Sequence, residues 1–149
     1  MKVLLAALAQ HFALGSTAYA MDDLLSKEIV VYKNPECGCC KKWIHYLKGD
    51  GYNVTAIDTR NVYAEKKRLG VLEKLVACHT AVIDGYVVEG HVTLRDIERL
   101  LLFRPDVTGT VVSGMPVGTP GMERGNTREP YKVMSLDKQG NIEVFVSHD

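Results

Sequence analysis

The hydrophobic pattern at the start of the chain predicts a strand followed by a helix. Residues 29–32 form a short continuous apolar run, which is typical of a buried strand. Apolar positions then recur at helical spacing and predict a helix that Gly49 and Gly51 end. The predicted buried face of this helix consists of Cys40, Trp43, Ile44 and Leu47.

A second strand and a second helix are predicted next. Residues 52–58 alternate between apolar and polar side chains and are rich in β-formers. Asn61 is a suitable N-cap for a helix that runs to Leu69, and residues 71–76 predict a further turn of helix. The charged side chains expected on the solvent-exposed face of the second helix are Glu65, Lys66, Lys67 and Arg68.

A β-hairpin is the clearest signal in the middle of the chain. Residues 80–83 and 86–89 predict two strands, and Asp84 and Gly85 between them form a two-residue turn signal. In such a hairpin the start of the first strand lies beside the end of the second. The side chains expected to converge at this end of the sheet are Cys78, His79 and His91.

A third helix follows the hairpin. Thr93 predicts its N-cap, with Asp96 in an approximate capping box, and Pro105 lies beyond its end. The helical spacing of large apolar side chains gives it one face for the core. That face consists of Leu94, Ile97, Leu100 and Leu101.

The C-terminal third has a different composition. Residues 109–122 are rich in Gly and Pro and predict a long loop that is neither a helix nor a central strand. Residues 131–136 and 142–146 predict two strands joined by a polar turn. The order of elements therefore predicts an α/β fold: a thioredoxin-like sandwich with a Gly/Pro/Met loop and a C-terminal β-hairpin.

Length, charge and the N-terminus narrow the class of protein. The chain has 149 residues and a formal net charge of zero, which suits one domain and gives no reason to expect nucleic acid. Residues 1–20 resemble a signal peptide, with Lys2 before an apolar run and Ala18-Tyr19-Ala20 at the predicted cleavage site. We therefore expect an exported, periplasmic protein of residues 21–149 that no membrane segment anchors after cleavage.

The cysteines carry the candidate chemistry. Cys37, Cys39 and Cys40 lie at the start of the first predicted helix, where unpaired amides and the helix dipole favour a thiolate. Thiolates, imidazoles and thioethers are ligands of soft Cu(I). The candidate metal ligands are Cys37, Cys39, Cys40, Cys78, His79 and His91, with Met115 and Met122 as weaker outer ligands.

Three other readings of the same cysteines stay open. Four thiolates could also hold zinc, although adjacent Cys39 and Cys40 lack the usual paired spacing. Cys37 and Cys40 form a C-x-x-C pair, so a thiol–disulfide oxidoreductase is the main alternative, with Cys37 as nucleophile. A purely structural disulfide is less favoured, because a domain of this length has core enough without one.

The remaining histidines and the tryptophan have simpler interpretations. His45 is expected to be either a surface histidine or one with its hydrogen bonds satisfied, and His148 is expected to be solvated. Neither is counted as a ligand, and Trp43 is expected to belong to the core.

Three motifs in order resemble the CopG-type copper-resistance family. They are Cys37-Gly38-Cys39-Cys40-Lys41-Lys42-Trp43, the segment of residues 78–92 that contains Cys78-His79 and Gly90-His91-Val92, and the segment of residues 114–122 from Gly114-Met115-Pro116 to Gly121-Met122. The chain departs from that family's pattern at Thr93 and at Ser113, where proline is usual. Neither position is a thiol.

The resemblance implies a periplasmic, thioredoxin-like protein of copper homeostasis or resistance. It implies copper bound in a multinuclear, cysteine-bridged site formed by Cys37, Cys39, Cys40 and Cys78, with His79 or His91 nearby. A Cu(I)/Cu(II) redox role is compatible with these residues. The expected partners are copper ions and other periplasmic copper-handling proteins.

Overall fold

The structure, a computed structural model, describes residues 27–149. The predicted signal peptide lies outside these residues. The strands are β1 (Glu28–Lys33), β2 (Asn53–Asp58), β3 (His79–Ile83), β4 (Tyr86–Glu89), β5 (Gly109–Val111), β6 (Tyr131–Leu136) and β7 (Ile142–His148). The helices are α1 (Gly38–Gly49), α2 (Val62–Arg68) and α3 (Leu94–Phe103), with a short 3-10 turn at Glu73–Leu75.

All seven described strands form one mixed sheet in the order β2-β1-β3-β4-β5-β6-β7. β1 is parallel to β2 and antiparallel to β3, and β4 is parallel to β5. The turn at Asp84 and Gly85 has positive φ at both residues, as a tight β3–β4 hairpin requires. The mixed α/β class predicted from the sequence is confirmed, while the thioredoxin-like designation stays a prediction.

One hydrophobic core joins α1 and α3 to the sheet. The predicted buried face of α1 is confirmed, and Trp43 is fully buried with its indole N–H donating to the Val92 carbonyl at 2.9 Å. The predicted apolar face of α3 is confirmed as well, and Thr93 accepts a hydrogen bond from the Asp96 amide as its N-cap. Within residues 27–149, no helix combines the length and the apolar character needed to cross a membrane.

The predicted loop of residues 109–122 was wrong at its start. Gly109–Val111 forms β5, a central strand between β4 and β6. A Cβ at Gly109 would overlap the Val87 carbonyl oxygen, so glycine is what lets β5 approach β4. The strand-forming signal of Thr110 and Val111 therefore outweighed the glycine that precedes them.

The C-terminal hairpin extends the sheet, and its last strand is longer than predicted. The additional residues bring His148 to the start of α3, where its Nε2 lies 2.8 Å from the buried Asp96 carboxylate. The His148 ring also stacks on Tyr131 at 4.5 Å between ring centroids. The prediction that His148 is solvated was wrong, because sheet pairing carries the chain end back across the molecule. His45 is exposed, as predicted.

Gly109→Ala should destabilise the fold strongly. The added methyl group would collide with the Val87 backbone and separate β5 from β4, a steric cost of about 3 kcal/mol for a group forced into a packed interior. Urea unfolding followed by circular dichroism measures the change. Gly49→Ala is the matched control, because nothing lies near its Cβ and alanine favours a helix. Equal stability of the two variants would contradict the packing argument.

Candidate metal centre

The start of α1 holds three of the four thiols. Cys37 is the N-cap residue, and its sulfur accepts a hydrogen bond from the Cys40 amide at 3.3 Å. The Cys37 amide in turn donates to the Asn34 carbonyl at 3.0 Å, which closes the tight turn after β1. Helical geometry then points Cys40 into the core and leaves Cys39 partly exposed.

The fourth thiol, Cys78, lies beside the other three although it is distant from them in the sequence. Cys78 immediately precedes β3, and its Sγ lies 3.4 Å from Cys39 Sγ. Cys39 Sγ is also 3.5 Å from Cys37 Sγ, and Cys37 and Cys40 are joined by a disulfide. All four sulfurs lie within 4.8 Å of one another. The structure thus brings together the four cysteines that the sequence singled out, two of them oxidised and two as free thiols.

The two histidines predicted to converge with Cys78 do so. His91 Nε2 is 3.0 Å from Cys78 Sγ, and His79 Nδ1 is 3.5 Å from it. The opposite nitrogen of His91, Nδ1, lies 2.7 Å from the Pro120 carbonyl oxygen. A carbonyl only accepts, so Nδ1 carries the proton and the Nε2 lone pair faces the thiol.

His79 is held as a neutral ring. It is fully buried, packs against Trp43 at 4.4 Å between ring centroids, and meets His91 edge to face at 4.9 Å. Burial lowers the pKa of His79 well below its usual value, and nearby His91 and Lys66 lower it further. No described residue satisfies its buried Nε2. A neutral imidazole is the form that binds a metal ion.

Cys78 is a weakly acidic thiol. Burial, followed by the hydrogen bond and charge of Cys39, raises the pKa of Cys78 to about 12. Its thiol therefore stays protonated at neutral pH while the site is free of metal. A soft ion that bound there would have to displace this proton, and its affinity would rise with pH.

A buried ion pair beneath Cys78 was missed in the sequence. Lys66 is buried, contrary to the prediction that it faces solvent, and its Nζ lies 2.6 Å from Glu89 Oε1. The same carboxylate oxygen accepts from the Ala77 amide at 2.6 Å, which fixes the backbone just before Cys78. The available signal was the helical spacing of Val62, Lys66 and Leu69, which puts Lys66 on the apolar face.

The Gly/Pro segment after β5 packs on the site. Gly121 has positive φ, and a Cβ there would come within 2.7 Å of the Cys39 carbonyl oxygen and 3.0 Å of the Trp43 nitrogen. Only glycine allows this segment to lie so close to α1. Of the two methionines named as weaker ligands, Met122 lines a cleft beside Cys39, whereas Met115 is about half exposed at 52% and does not line it.

The donor set has the chemistry of a soft-metal site. Four sulfurs form one group and Cys78 forms a second group with the two imidazoles, while the buried carboxylate of Glu89 is engaged by Lys66 and the Ala77 amide. Sulfur and neutral imidazole suit Cu(I) or zinc and are poor ligands for hard ions. In the oxidised state only Cys39 and Cys78 offer free thiols, so all four ligands require reduction of the disulfide.

Comparison with known proteins gives one family model and two solved structures. The model described as a protein of unknown function, DUF411, matches residues 75–122, which include Cys78, His79, His91 and Met122. A structure of copper resistance protein CopG, Form 2, is 43% identical with a TM-score of 0.78, covering 82% of this chain and 98% of that chain. Form 1 of the same protein is 44% identical with a TM-score of 0.77, covering 81% and 96%. No curated protein sequence matches.

Lys66→Met should destabilise the protein by about 3–5 kcal/mol at neutral pH, because it leaves Glu89 charged and unpaired in the interior. Burial already raises the pKa of Glu89, and loss of the cation would raise it further. The penalty should therefore shrink at acid pH, where the carboxyl is protonated, and grow as pH rises. Urea titrations at about pH 5 and about pH 8 measure this.

Lys67→Met is the matched control, because Lys67 is the exposed neighbour on the same helix. It should change stability by less than about 0.5 kcal/mol at either pH. A pH-independent loss in Lys66→Met would show that Lys66 acts through packing alone. An equal loss in Lys67→Met would contradict the ion-pair argument, because Lys67 has no part in the pair.

Iodoacetamide should modify Cys39 before Cys78 in protein that carries the Cys37–Cys40 disulfide. Cys39 borders an open cleft, while a Cys78 pKa of about 12 leaves about one thiol in ten thousand ionised at pH 8. Peptide mass spectrometry over time gives both rates. Cys39→Ser should speed the modification of Cys78, because the neighbour that raises its pKa is gone. Comparable modification rates of Cys39 and Cys78 in the parent protein would refute the prediction that Cys39 is the more reactive thiol.

Proposed function

Because the chain belongs to the family of copper resistance protein CopG, we propose that it is an exported protein of copper homeostasis that binds Cu(I). The proposed ligands are the four cysteines and the two histidines, of which His91 is the better oriented. They are Cys37, Cys39, Cys40, Cys78, His79 and His91.

The observation that carries the proposal is the meeting of four sulfurs at one point of the sheet. Their mutual distances, within 4.8 Å, are too short for four independent sites and suit thiolates that share ions. Shared thiolates would build a multinuclear cluster, since each sulfur has lone pairs for more than one soft ion. The His79 Nδ1 atom, 3.5 Å from Cys78 Sγ, supports the same function, because a neutral imidazole nitrogen beside the sulfurs is a suitable ligand for Cu(I).

The mixed oxidation state of the cysteines supports a redox role within this function. Two Cu(II) ions could each take one electron from the Cys37 and Cys40 thiolates, giving two Cu(I) ions and the Cys37–Cys40 disulfide. In the reverse direction, two Cu(I) ions would reduce the disulfide and leave as Cu(II). Electrons balance in both directions, and Cys39 and Cys78 would remain as ligands throughout.

Export follows in this proposal from the signal-like residues 1–20 and from the family. The mature protein of residues 21–149 would act in the periplasm, where copper ions are its cargo and other copper-handling proteins its partners. A disulfide is also compatible with that compartment.

One observation favours a second function. Cys37 and Cys40 already form the C-x-x-C disulfide at the start of α1, which is the arrangement a thiol–disulfide oxidoreductase uses. In that function Cys37 would be attacked by a substrate thiolate, and Cys40 would leave as the resolving thiol. Cys78 would have no part in the exchange.

Cys78→Ser separates the two functions. Under the copper proposal, the reduced variant should bind fewer Cu(I) ions than the parent and bind them at least about tenfold more weakly. Under the oxidoreductase alternative, it should keep most of its disulfide-exchange activity and the parent should bind no copper. Anaerobic copper analysis and an exchange assay on the same samples give both readings. A parent protein that binds no Cu(I) with all four cysteines reduced would reject the copper proposal.

A pair of histidine variants tests the ligand assignment in the same assay. His91→Gln removes the nitrogen that faces Cys78, whereas His45→Gln changes an exposed histidine of α1. Only the first should weaken copper binding. If both variants bound copper as tightly as the parent protein, the cysteines would remain proposed ligands and His91 would be removed from the set.

A further inference from the structure

The solvent-exposed face of α1 is a positively charged surface beside the thiols. Lys41, Lys42 and the imidazole of His45 are exposed on it, and Lys48 follows in the last turn of the helix. No acidic residue lies within α1. The whole chain has a formal net charge of zero, so this excess of positive charge is a local feature of the surface.

Helix stability does not account for Lys41 and Lys42. Both lie in the N-terminal half of α1, the end at which the helix dipole favours acidic side chains over basic ones. Neither lysine forms an ion pair with a residue within 27–149, whereas the exposed cations Arg68 and Arg104 each do. The two lysines therefore add charge to the surface without a structural partner in the described part of the chain.

The exposed face of α1 borders a recess that joins the cleft beside Cys39. The recess has a volume of about 620 Å³, and the side chains of α1 that line it are Lys41, Lys42, His45 and Tyr46. Lys42 also lines the cleft that contains Cys39, so the two depressions are continuous. A partner seated in the recess would therefore lie next to an accessible sulfur.

Tyr46 gives the recess a fixed aromatic side chain. Its hydroxyl accepts a hydrogen bond from the Leu94 amide at 3.1 Å, which ties the end of the ring to α3. The residue is nevertheless 36% exposed, so part of the ring faces the recess. Tyrosine is enriched at protein interfaces, where an aromatic side chain is surrounded by a polar rim.

The charge of this surface disfavours the approach of a free copper ion. The charged side chains that line the recess and the cleft comprise three cations and one carboxylate. Among the described residues they are Lys41, Lys42, Arg124 and Glu123. A field of this sign repels cations and steers acidic partners toward the surface. It therefore suits copper that arrives on an acidic carrier.

The extent of the surface favours a protein as the carrier. The axis of α1 advances by about 10 Å between Cys39 and Tyr46. A small anion is too short to contact both ends of this stretch at once, whereas an acidic protein surface can cover the lysines and the aromatic ring together. Complementary charge of this kind speeds the formation of small, short-lived complexes between proteins.

We propose that the exposed face of α1 is the docking surface for an acidic protein that carries Cu(I) and delivers it to Cys39. The inference rests on the proposed copper function and adds the kind of partner that supplies the ion. The transfer is a ligand exchange in which copper stays Cu(I). The bond between copper and a ligand of the carrier breaks as the bond to Cys39 forms, and the Cys39 thiol releases its proton to water.

A double charge reversal, Lys41→Glu with Lys42→Glu, tests this surface. The matched control is Lys67→Glu with Lys132→Glu, which changes the net charge equally at exposed positions outside α1. The probe for the carrier is a methionine-containing peptide rich in glutamate and loaded with Cu(I). A second peptide, with glutamine in place of every glutamate, carries Cu(I) without the charge.

Fully reduced protein is mixed anaerobically with each loaded peptide, and the near-ultraviolet absorption of copper thiolates is followed by stopped flow. In dilute buffer the α1 variant should accept copper from the glutamate peptide about tenfold more slowly than the parent, while the control pair keeps the parent rate. The difference should vanish at about 1 M salt, where charges are screened within about 3 Å. All three proteins should accept copper from the glutamine peptide at one rate and reach one final copper content.

Four outcomes would overturn the docking surface and leave the proposed function intact. They are an unchanged rate in the α1 variant, an equal delay in the control pair, an equal delay with the glutamine peptide, and selective inhibition by a small anion. The last is measured with citrate, which should slow transfer from the glutamate peptide no more than chloride at the same ionic strength. A parent protein that accepts Cu(I) from neither peptide nor from free Cu(I) in dilute acetonitrile removes the proposed function as well.

Discussion

The antiparallel register of β1 and β3 places Lys33, the last residue of β1, opposite His79, the first residue of β3. The turn after β1 leads directly into α1, so this pairing sets the thiols of α1 beside Cys78. A slip of one residue would move Cys78 by about 3.3 Å and turn its side chain to the other face of the sheet. That distance is as large as the 3.4 Å between the Cys39 and Cys78 sulfurs, so the whole site depends on this register.

The register of the β3–β4 hairpin places the two imidazoles in the same way as the β1–β3 register places Cys78. Thr80 pairs with Glu89, so His79, which precedes Thr80, and His91, two residues after Glu89, meet at the open end of the hairpin. Pro120 then orients His91 from the far side through its carbonyl. The Gly/Pro segment thus takes part in the site twice, since it fixes the tautomer of one imidazole and covers the start of α1.

The interior around the site contains one buried ion pair beside two uncharged side chains. Lys66 and Glu89 compensate each other within hydrogen-bond distance, while burial keeps His79 neutral and Cys78 protonated. Desolvation disfavours charge on both of these side chains, and a bound cation would reverse that preference for the thiol.

Local patterns along the chain were enough to predict most of the helices and strands and the candidate metal ligands. Local signals sufficed for the hairpin at Asp84 and Gly85, for the caps at Asn61 and Thr93, and for the apolar face of α1, because each depends on residues close in the chain. The grouping of Cys78, His79 and His91 followed from the hairpin alone. Two similar local features, the glycine before Thr110 and the charge of Lys66, led to wrong predictions.

Features that depend on partners distant in the chain could be identified only from the folded protein. β5 became a central strand because Gly109 fits against Val87, and Lys66 became buried because Glu89 neutralises it. His148 joined Asp96 because sheet pairing extended β7, and Met122 came to line the cleft beside Cys39 because Gly121 packs on α1. Each of these contacts joins residues far apart in the chain, and local propensity carries no information about the partner that three-dimensional packing supplies.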